Sequence, residues 1–175
     1  MDINQGRIIL TNMQICFQDM NLPIFSDNEE LNDPYISNHL SFKSWYECKD
    51  YPAEILGIVG FEHNIIRLSM NFYFKDIWSK YPSILKMLNL INLARVGYYW
   101  QIVPAHEKFE FRTAMIVTGD SLNMDQFKSV LKRFLDLGAG FYPLINQFQN
   151  SNNKPQKLLN KYKSKNKRLW LNDLI

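Results

Sequence analysis

The sequence is poor in the residues that build metal centres and disulfide frameworks, with two cysteines and three histidines among 175 residues. Cys16 and Cys48 form no Cys-x-x-Cys pair and have no histidine at the spacing of a zinc site, so we expect buried, reduced thiols. The sequence alone leaves a disulfide between them open. His39, His63 and His106 are expected in separate loops or turns, which predicts no shared metal site.

Long apolar runs and known catalytic motifs are also missing. No window approaches the ~20 apolar residues of a membrane span, and residues 1–10 lack the basic and then unbroken apolar pattern of a signal peptide. Gly-x-Gly-x-x-Gly, Walker A, His-Glu-x-x-His and Gly-x-Ser-x-Gly motifs are absent. We therefore expect a non-enzymatic cytoplasmic protein with no catalytic residue, no metal and no cofactor.

The residues that are present describe a folded domain with an uneven charge. Hydrophobic residues make up 46% of the chain and aromatic residues 14%, which is typical of a globular protein. Residues 151–175 carry seven basic residues and one acid, a net charge of +6. The whole chain has a net charge of +3, so residues 1–150 carry −3. We expect one domain over residues 1–148, followed by a linker and basic tail over residues 149–175.

Apolar spacing predicts an α+β protein. Helical periodicity covers residues 3–22, 82–94 and, with an interruption near Gly138, Gly140 and Pro143, 120–148. Strand-like alternation covers residues 40–47, 54–61, 66–74, 98–103 and 109–118. The prediction is a five-stranded antiparallel sheet with helices packed on one face, in the order α-β-β-β-α-β-β-α, plus the basic C-terminal tail. Within the second strand, Gly57 and Gly60 indicate a bulge or a close backbone approach.

Two stretches of the chain resemble a known family. They are KYPSILKMLNLINLARVGYYWQIVP and EKFEFRTAMIVTGDSLNMDQFKSVLKRFLDLGAGFYPLI. They are similar to the YbjN family, named as bacterial sensory transduction regulators, which has the type III secretion chaperone-like fold. The resemblance covers residues 3–148 and implies a homodimeric protein that holds or regulates other proteins. It supplies no catalytic residues.

Strand alternation predicts a candidate protein-interaction face. If Ile66, Leu68, Met70 and Phe72 face the helices, the opposite side of the sheet is mixed, aromatic and partly apolar. It would carry Trp45, Leu56, Ile58, Tyr73, Tyr99 and Ile116. Exposed apolar patches with a polar rim mark protein contacts. The alternatives are that another part of the chain covers this face, or that the sheet serves a small-molecule-binding domain through its concavity.

The basic tail has three interpretations. Its candidate contact residues are Lys161, Lys163, Lys165, Lys167, Arg168 and Trp170. They could bind an acidic protein partner or the phosphates of a nucleic acid. With the nearby leucines they could instead lie on an anionic membrane surface. In the third interpretation the tail is a solvated basic helix whose apolar side docks on the acidic body of the protein.

Overall fold

The computed structural model describes residues 1–25, 38–48, 51–73, 80–92, 97–103, 108–118, 121–149 and 154–166. Its helices are α1 (Ile3–Asp19), α2 (Tyr81–Asn92), α3 (Met124–Gln149) and α4 (Pro155–Lys165). Its strands are β1 (Ile24–Phe25), β2 (His39–Cys48), β3 (Tyr51–Gly60), β4 (Ile65–Tyr73), β5 (Tyr98–Val103) and β6 (Lys108–Ile116). The predicted α+β class is confirmed.

The predicted five-stranded sheet and the predicted element order are both wrong. Over the described residues the sheet has six antiparallel strands in the order β1-β2-β3-β4-β6-β5, and there are four helices. The strand that the prediction missed is β1, whose two residues pair with Ser44 and Lys43 of β2. Two residues are too few to show alternation, so only the pairing reveals this strand.

The chain divides into two compact units. The first unit comprises Met1–Asn71 and Thr113–Arg133, and the second comprises Phe72–Arg112 and Phe134–Ile175.

In the first unit, α1 packs on one face of the sheet. Asp2 caps α1 by accepting a hydrogen bond from the Gln5 N–H at 2.8 Å. The buried stripe of the helix includes Phe17, whose ring meets the Phe42 ring edge-on with a centroid distance of 4.9 Å. The Phe42 ring lies over Gly57, where an added Cβ would be 2.4 Å from a ring carbon. The close backbone approach predicted for this strand therefore occurs at Gly57.

In the second unit, aromatic rings form the core around Trp100. This side chain is 2% exposed and lies 5.5 Å from the Phe72 ring and 4.9 Å from the Phe111 ring. Asn92 at the end of α2 bonds to the backbone N–H and C=O of Trp100, at 2.7 and 2.8 Å. One amide side chain thus occupies both backbone groups of Trp100 and fixes the end of α2 beside β5.

Helix α3 runs through its proline without ending. The prediction placed a kink or break near Gly138, Gly140 and Pro143, and the helix continues to Gln149. Proline has no N–H to donate to the carbonyl four residues earlier, so the surrounding turn needs other partners. The carbonyl four residues before Pro143 is that of Ala139. The Tyr162 hydroxyl of α4 donates to the next carbonyl along the helix, that of Gly140.

Candidate protein-interaction surface

The register of β2, β3 and β4 defines the face of the first unit opposite the Phe42 side. Cross-strand partners point to the same side of a sheet, so three rows of side chains share this face. The rows are Ser41, Ile58 and Arg67; Lys43, Leu56 and Ser69; and Trp45, Glu54 and Asn71. Phe25 joins the second row because it pairs with Lys43. We call these residues, together with Ile116, the outer face.

Large apolar side chains on the outer face remain in contact with solvent. Trp45 is 40% exposed, Phe25 48% and Ile116 69%, while Leu56 and Ile58 are half-buried. Ile116 ends β6 beside the start of β4, since the Val117 N–H donates to the Asn64 carbonyl at 2.8 Å. The register therefore places Trp45, Leu56 and Ile58 on the predicted side of the sheet. Ile116 is assigned to the same side by alternation, because its neighbour Met115 lines a small cavity with Ile66 and Leu68 of the other side. Their role in binding stays a prediction.

Phe25 is the outer-face residue that sequence reasoning missed. Its strand is two residues long, and no alternation or turn signal precedes it. Its side chain is nevertheless more exposed than that of Trp45. Pairing with β2 alone places it on this face.

Polar groups on the outer face are held in place by hydrogen bonds. The Asn71 side-chain amide donates to the Glu54 carboxylate at 2.8 Å, directly beside Trp45 in the register. Asn71 and Ser69 are each 1% exposed, and the Asn71 Oδ1 and Ser69 hydroxyl have no hydrogen-bond partner. Small polar side chains in a central strand are buried by their larger neighbours. The face thus combines exposed apolar side chains with buried polar ones.

The two remaining predicted face residues belong to the second unit. Tyr73 is 48% exposed and Tyr99 41%. Tyr99 accepts a hydrogen bond from Arg112, which also pairs with Glu110 at 2.8 Å. Burial lowers the pKa of Arg112, but these hydrogen bonds outweigh that effect and raise it overall. Glu110 is only 3% exposed and accepts a further bond from Gln101 at 2.7 Å, so its buried carboxylate contacts two side chains, those of Gln101 and Arg112.

A small cleft lies at one end of the first unit. It encloses about 240 Å³ and is lined by Asn38, His39, Ile58, Gly60, Glu62, His63, Ile65 and Arg67. His39 and His63, which were predicted in separate loops or turns, both line this cleft, because His39 pairs with Gly60 at the end of β3. Antiparallel pairing of neighbouring strands was the signal that could have predicted this. The lining carries both signs of charge, because it includes Glu62 and Arg67.

The described residues contain neither a cluster of metal-binding side chains nor a disulfide. No group of three or more histidine, cysteine, aspartate or glutamate side chains is placed to hold a metal there. Cys16 and Cys48 are both free and buried. Burial raises the pKa of Cys16 and raises that of Cys48 to about 11, which leaves both thiols protonated and unreactive near neutral pH.

Three of the predicted tail contacts lie on α4, and the others lie outside the described residues. Lys161, Lys163 and Lys165 are exposed on α4. Lys167, Arg168 and Trp170 belong to the residues that the structure does not describe. The apolar side of α4 is covered within the second unit, with Leu158 3% and Leu159 1% exposed. The Tyr162 ring lies 6.4 Å from the Phe141 ring of α3.

These features define an α+β protein with exposed apolar side chains and a small cleft in its first unit. Among solved structures, a chain in the crystal structure of the ExsC–ExsE complex is similar over 81% of this chain and 94% of that chain. The TM-score is 0.57 and the sequence identity 15%. At that identity the similarity shows the fold alone. It supports the expected type III secretion chaperone-like fold and does not extend to the YbjN family.

The sequence comparisons are negative. Neither a protein-family model nor a curated protein matches this sequence. Among the residues that the structure describes, none of the helices combines the length and apolar character needed to cross a membrane.

Proposed function

We propose that this chain is a non-enzymatic protein-interaction module, chaperone-like or regulatory, that binds a partner protein through the outer face. The observation that carries the proposal is the exposure of Phe25, Trp45 and Ile116 on one side of the first unit. Most large apolar side chains of a folded protein are buried, and clusters left exposed mark contact surfaces. A partner that covers these side chains gains the free energy of removing them from water.

Trp45 is the expected centre of this contact. Tryptophan is enriched among the residues that dominate binding energy, and polar groups around it set the orientation of the partner. Glu54 lies opposite Trp45 and is held by Asn71, while Lys43 lies in the next row and Arg67 in the row after it. The partner is thus expected to insert an apolar segment against Trp45 and to place polar groups over Glu54. Tyr73 and Tyr99 are proposed as further contact residues of the second unit.

The fold supports a binding role over an enzymatic one. The similar chain comes from a complex of two proteins, ExsC and ExsE. The cleft of about 240 Å³ is smaller than the roughly 300–1,000 Å³ of typical ligand pockets. We therefore place the small-molecule-binding alternative second. A relationship to the YbjN family and a cytoplasmic location complete the proposal.

Homodimerisation is the second part of the proposal. The resemblance to YbjN implies a dimer, and an exposed apolar face can pair with a second copy of itself. Light scattering at high micromolar concentration is expected to give twice the mass of one chain. A strict monomer under those conditions would contradict the dimer and leave the binding of another protein to be tested separately.

Affinity capture with matched variants tests the binding role. We expect Trp45→Ala/Ile116→Ala to retain at least tenfold less partner than the wild-type protein, because an interface tryptophan contributes about 2 kcal/mol or more. The control is Ile8→Ala/Ile15→Ala, which removes exposed apolar side chains from α1, 55% and 39% exposed. Equal retention by the two double variants would show that the outer face is not the binding surface.

A further inference from the structure

Helix α4 presents a row of lysines on one side. The N-cap residue of α4 and three lysines within the helix recur at spacings of three, four and four residues, and each is exposed: Lys154, Lys157, Lys161 and Lys165. With 3.6 residues per turn this spacing places them along one line, separated by about 4.5 or 6 Å along the helix axis. We call these four residues the lysine row. Lys163 lies on another side of the helix.

The charge of the lysine row is not neutralised by the helix itself. Pro155–Lys165 contains no aspartate or glutamate, so no carboxylate can pair with the row at a spacing of three or four residues. None of the four lysines forms an ion pair with a residue in the described part of the chain. The row is therefore a line of positive charge available to a ligand.

The packing of α4 argues against the membrane interpretation. A helix that lies on a membrane inserts its apolar side between the lipids. In this structure Leu158 and Leu159 are buried within the second unit, and Tyr162 bonds to the Gly140 carbonyl of α3. Only the polar sides of α4 are left for a partner, so its contacts are electrostatic.

The regular spacing of the row favours an acidic helix over a phosphate backbone. Duplex DNA carries a negative charge about every 1.7 Å of its axis, so it binds any group of lysines without regard to their register. A second α-helix with carboxylates at spacings of three and four residues repeats at the same 4.5 to 6 Å. Each lysine would then face one carboxylate, as in the charge pairing of adjacent helices.

We propose that the lysine row binds an acidic helical segment of a partner protein. The segment carries glutamate or aspartate at helical spacing along one side and lies alongside α4. This contact goes beyond the proposed function, since it uses none of the outer-face residues. It can therefore fail while the outer face binds its partner, and the reverse also holds.

Two synthetic helical peptides of about 20 residues and identical composition provide the test. One carries four glutamates along one side at spacings of three, four and four, and the other distributes them around the helix. At about 0.01 M salt, where the Debye length is ~30 Å, we expect the wild-type protein to bind the aligned peptide about tenfold more tightly. Raising the salt to about 0.15 M, where that length is ~8 Å, should weaken this binding.

A charge-matched pair of variants assigns the contact to α4. Lys157→Gln/Lys161→Gln should bring the affinity for the aligned peptide close to that for the distributed peptide. Lys86→Gln/Lys132→Gln removes two exposed lysines from α2 and α3 and should leave the preference unchanged. Circular dichroism checks that both variants fold, and the two-peptide comparison on the wild-type protein stands even if one does not.

Three outcomes would overturn the proposal. The first is equal affinity of the wild-type protein for the two peptides. The second is a loss of preference in the control variant as large as in the α4 variant. The third is tighter binding of a DNA duplex, or of phosphatidylserine vesicles, than of the aligned peptide at the same salt concentration, which would assign the row to phosphates.

Discussion

The outer face of the first unit and helix α4 of the second unit both carry apolar and charged side chains. They differ in which of the two kinds is exposed to solvent. On the outer face Phe25, Trp45 and Ile116 stay exposed, while the polar side chains Ser69 and Asn71 are buried. On α4 the leucines are buried and the lysines stay exposed. Composition is similar, but packing decides that one surface offers apolar area and the other offers charge.

The largest effect that tests this comparison is expected from truncating a leucine of α4. Leu159 is 1% exposed, so Leu159→Ala should lower the free energy of unfolding by about 3 kcal/mol through lost burial and the cavity left behind. The matched control is Leu56→Ala on the outer face, where the side chain is half-buried and the expected loss is about 1 kcal/mol. Urea denaturation measures both. Equal losses would mean that α4 is not docked as described.

This docking also decides how the tail should be tested. Removing all residues after Gln149 would strip α4 from the second unit and expose the apolar surface that Leu158 and Leu159 cover. A partner lost on truncation could then reflect misfolding. Substitution of exposed lysines avoids this, because it changes charge and leaves the buried side of α4 intact.

The two faces of β3 give the next largest effect. A Cβ added at Gly57 would lie 2.4 Å from the Phe42 ring, so Gly57→Ala should cost about 2 kcal/mol of stability by overpacking. At Gly60 the nearest atom to an added Cβ is the Ile65 carbonyl oxygen at 3.7 Å, an ordinary contact. Gly60→Ala is therefore the control, with an expected change within about 0.5 kcal/mol. Thermal or urea unfolding of the pair measures the difference, and similar costs would contradict the close contact of Phe42 with β3.

Sequence patterns predicted the sides of the strands better than the number of strands. Period-two alternation fixes which residues share a face, and it assigned Trp45, Leu56 and Ile58 to one side, as the register shows. Alternation needs several residues, so it could not predict the two-residue strand β1 or the place of Phe25 on this face. The five-stranded prediction was wrong for that reason.

Sequence alternation also does not predict which side chains pair across neighbouring strands. Glu110 lies between the apolar residues Phe109 and Phe111 of β6, a pattern typical of a solvent-facing charge, yet it is 3% exposed. Its carboxylate accepts from Gln101 and pairs with Arg112, partners from two positions that only the fold brings together. Buried charges need such partners, and a single sequence does not name them.

A smaller effect is expected from the hydrogen bond that fastens α4 to α3. Tyr162→Phe keeps the ring beside Phe141 and removes the hydroxyl that donates to the Gly140 carbonyl. The expected loss is about 1 kcal/mol in the free energy of unfolding, typical of one hydrogen bond. Ser164→Ala, which changes an exposed hydroxyl on the same helix, is the control. No difference between the two variants would contradict a stabilising role for Tyr162.

The same tyrosine gives a pH dependence with a definite sign. Burial raises the pKa of Tyr162 from 10 to about 12 in the folded protein. Because the folded pKa lies above the unfolded one, the contribution is fully present below pH 10 and is lost as the pH rises toward 12. The stability difference between wild type and Tyr162→Phe should therefore shrink over that range. A difference independent of pH between 9 and 12 would contradict the burial of this hydroxyl.

The smallest effect on stability, and the sharpest separation of stability from binding, is expected at Trp45. Its side chain is 40% exposed, so Trp45→Ala should change the free energy of unfolding by less than about 1 kcal/mol. Trp100→Ala is the matched control: that ring is 2% exposed between Phe72 and Phe111, and its loss should cost about 3 to 5 kcal/mol. Urea denaturation and affinity capture on the same samples then distinguish the two roles. If Trp45→Ala destabilised the protein as much as Trp100→Ala, the side chain would belong to the core. A stable protein that no longer binds its partner is the result expected for an interface residue.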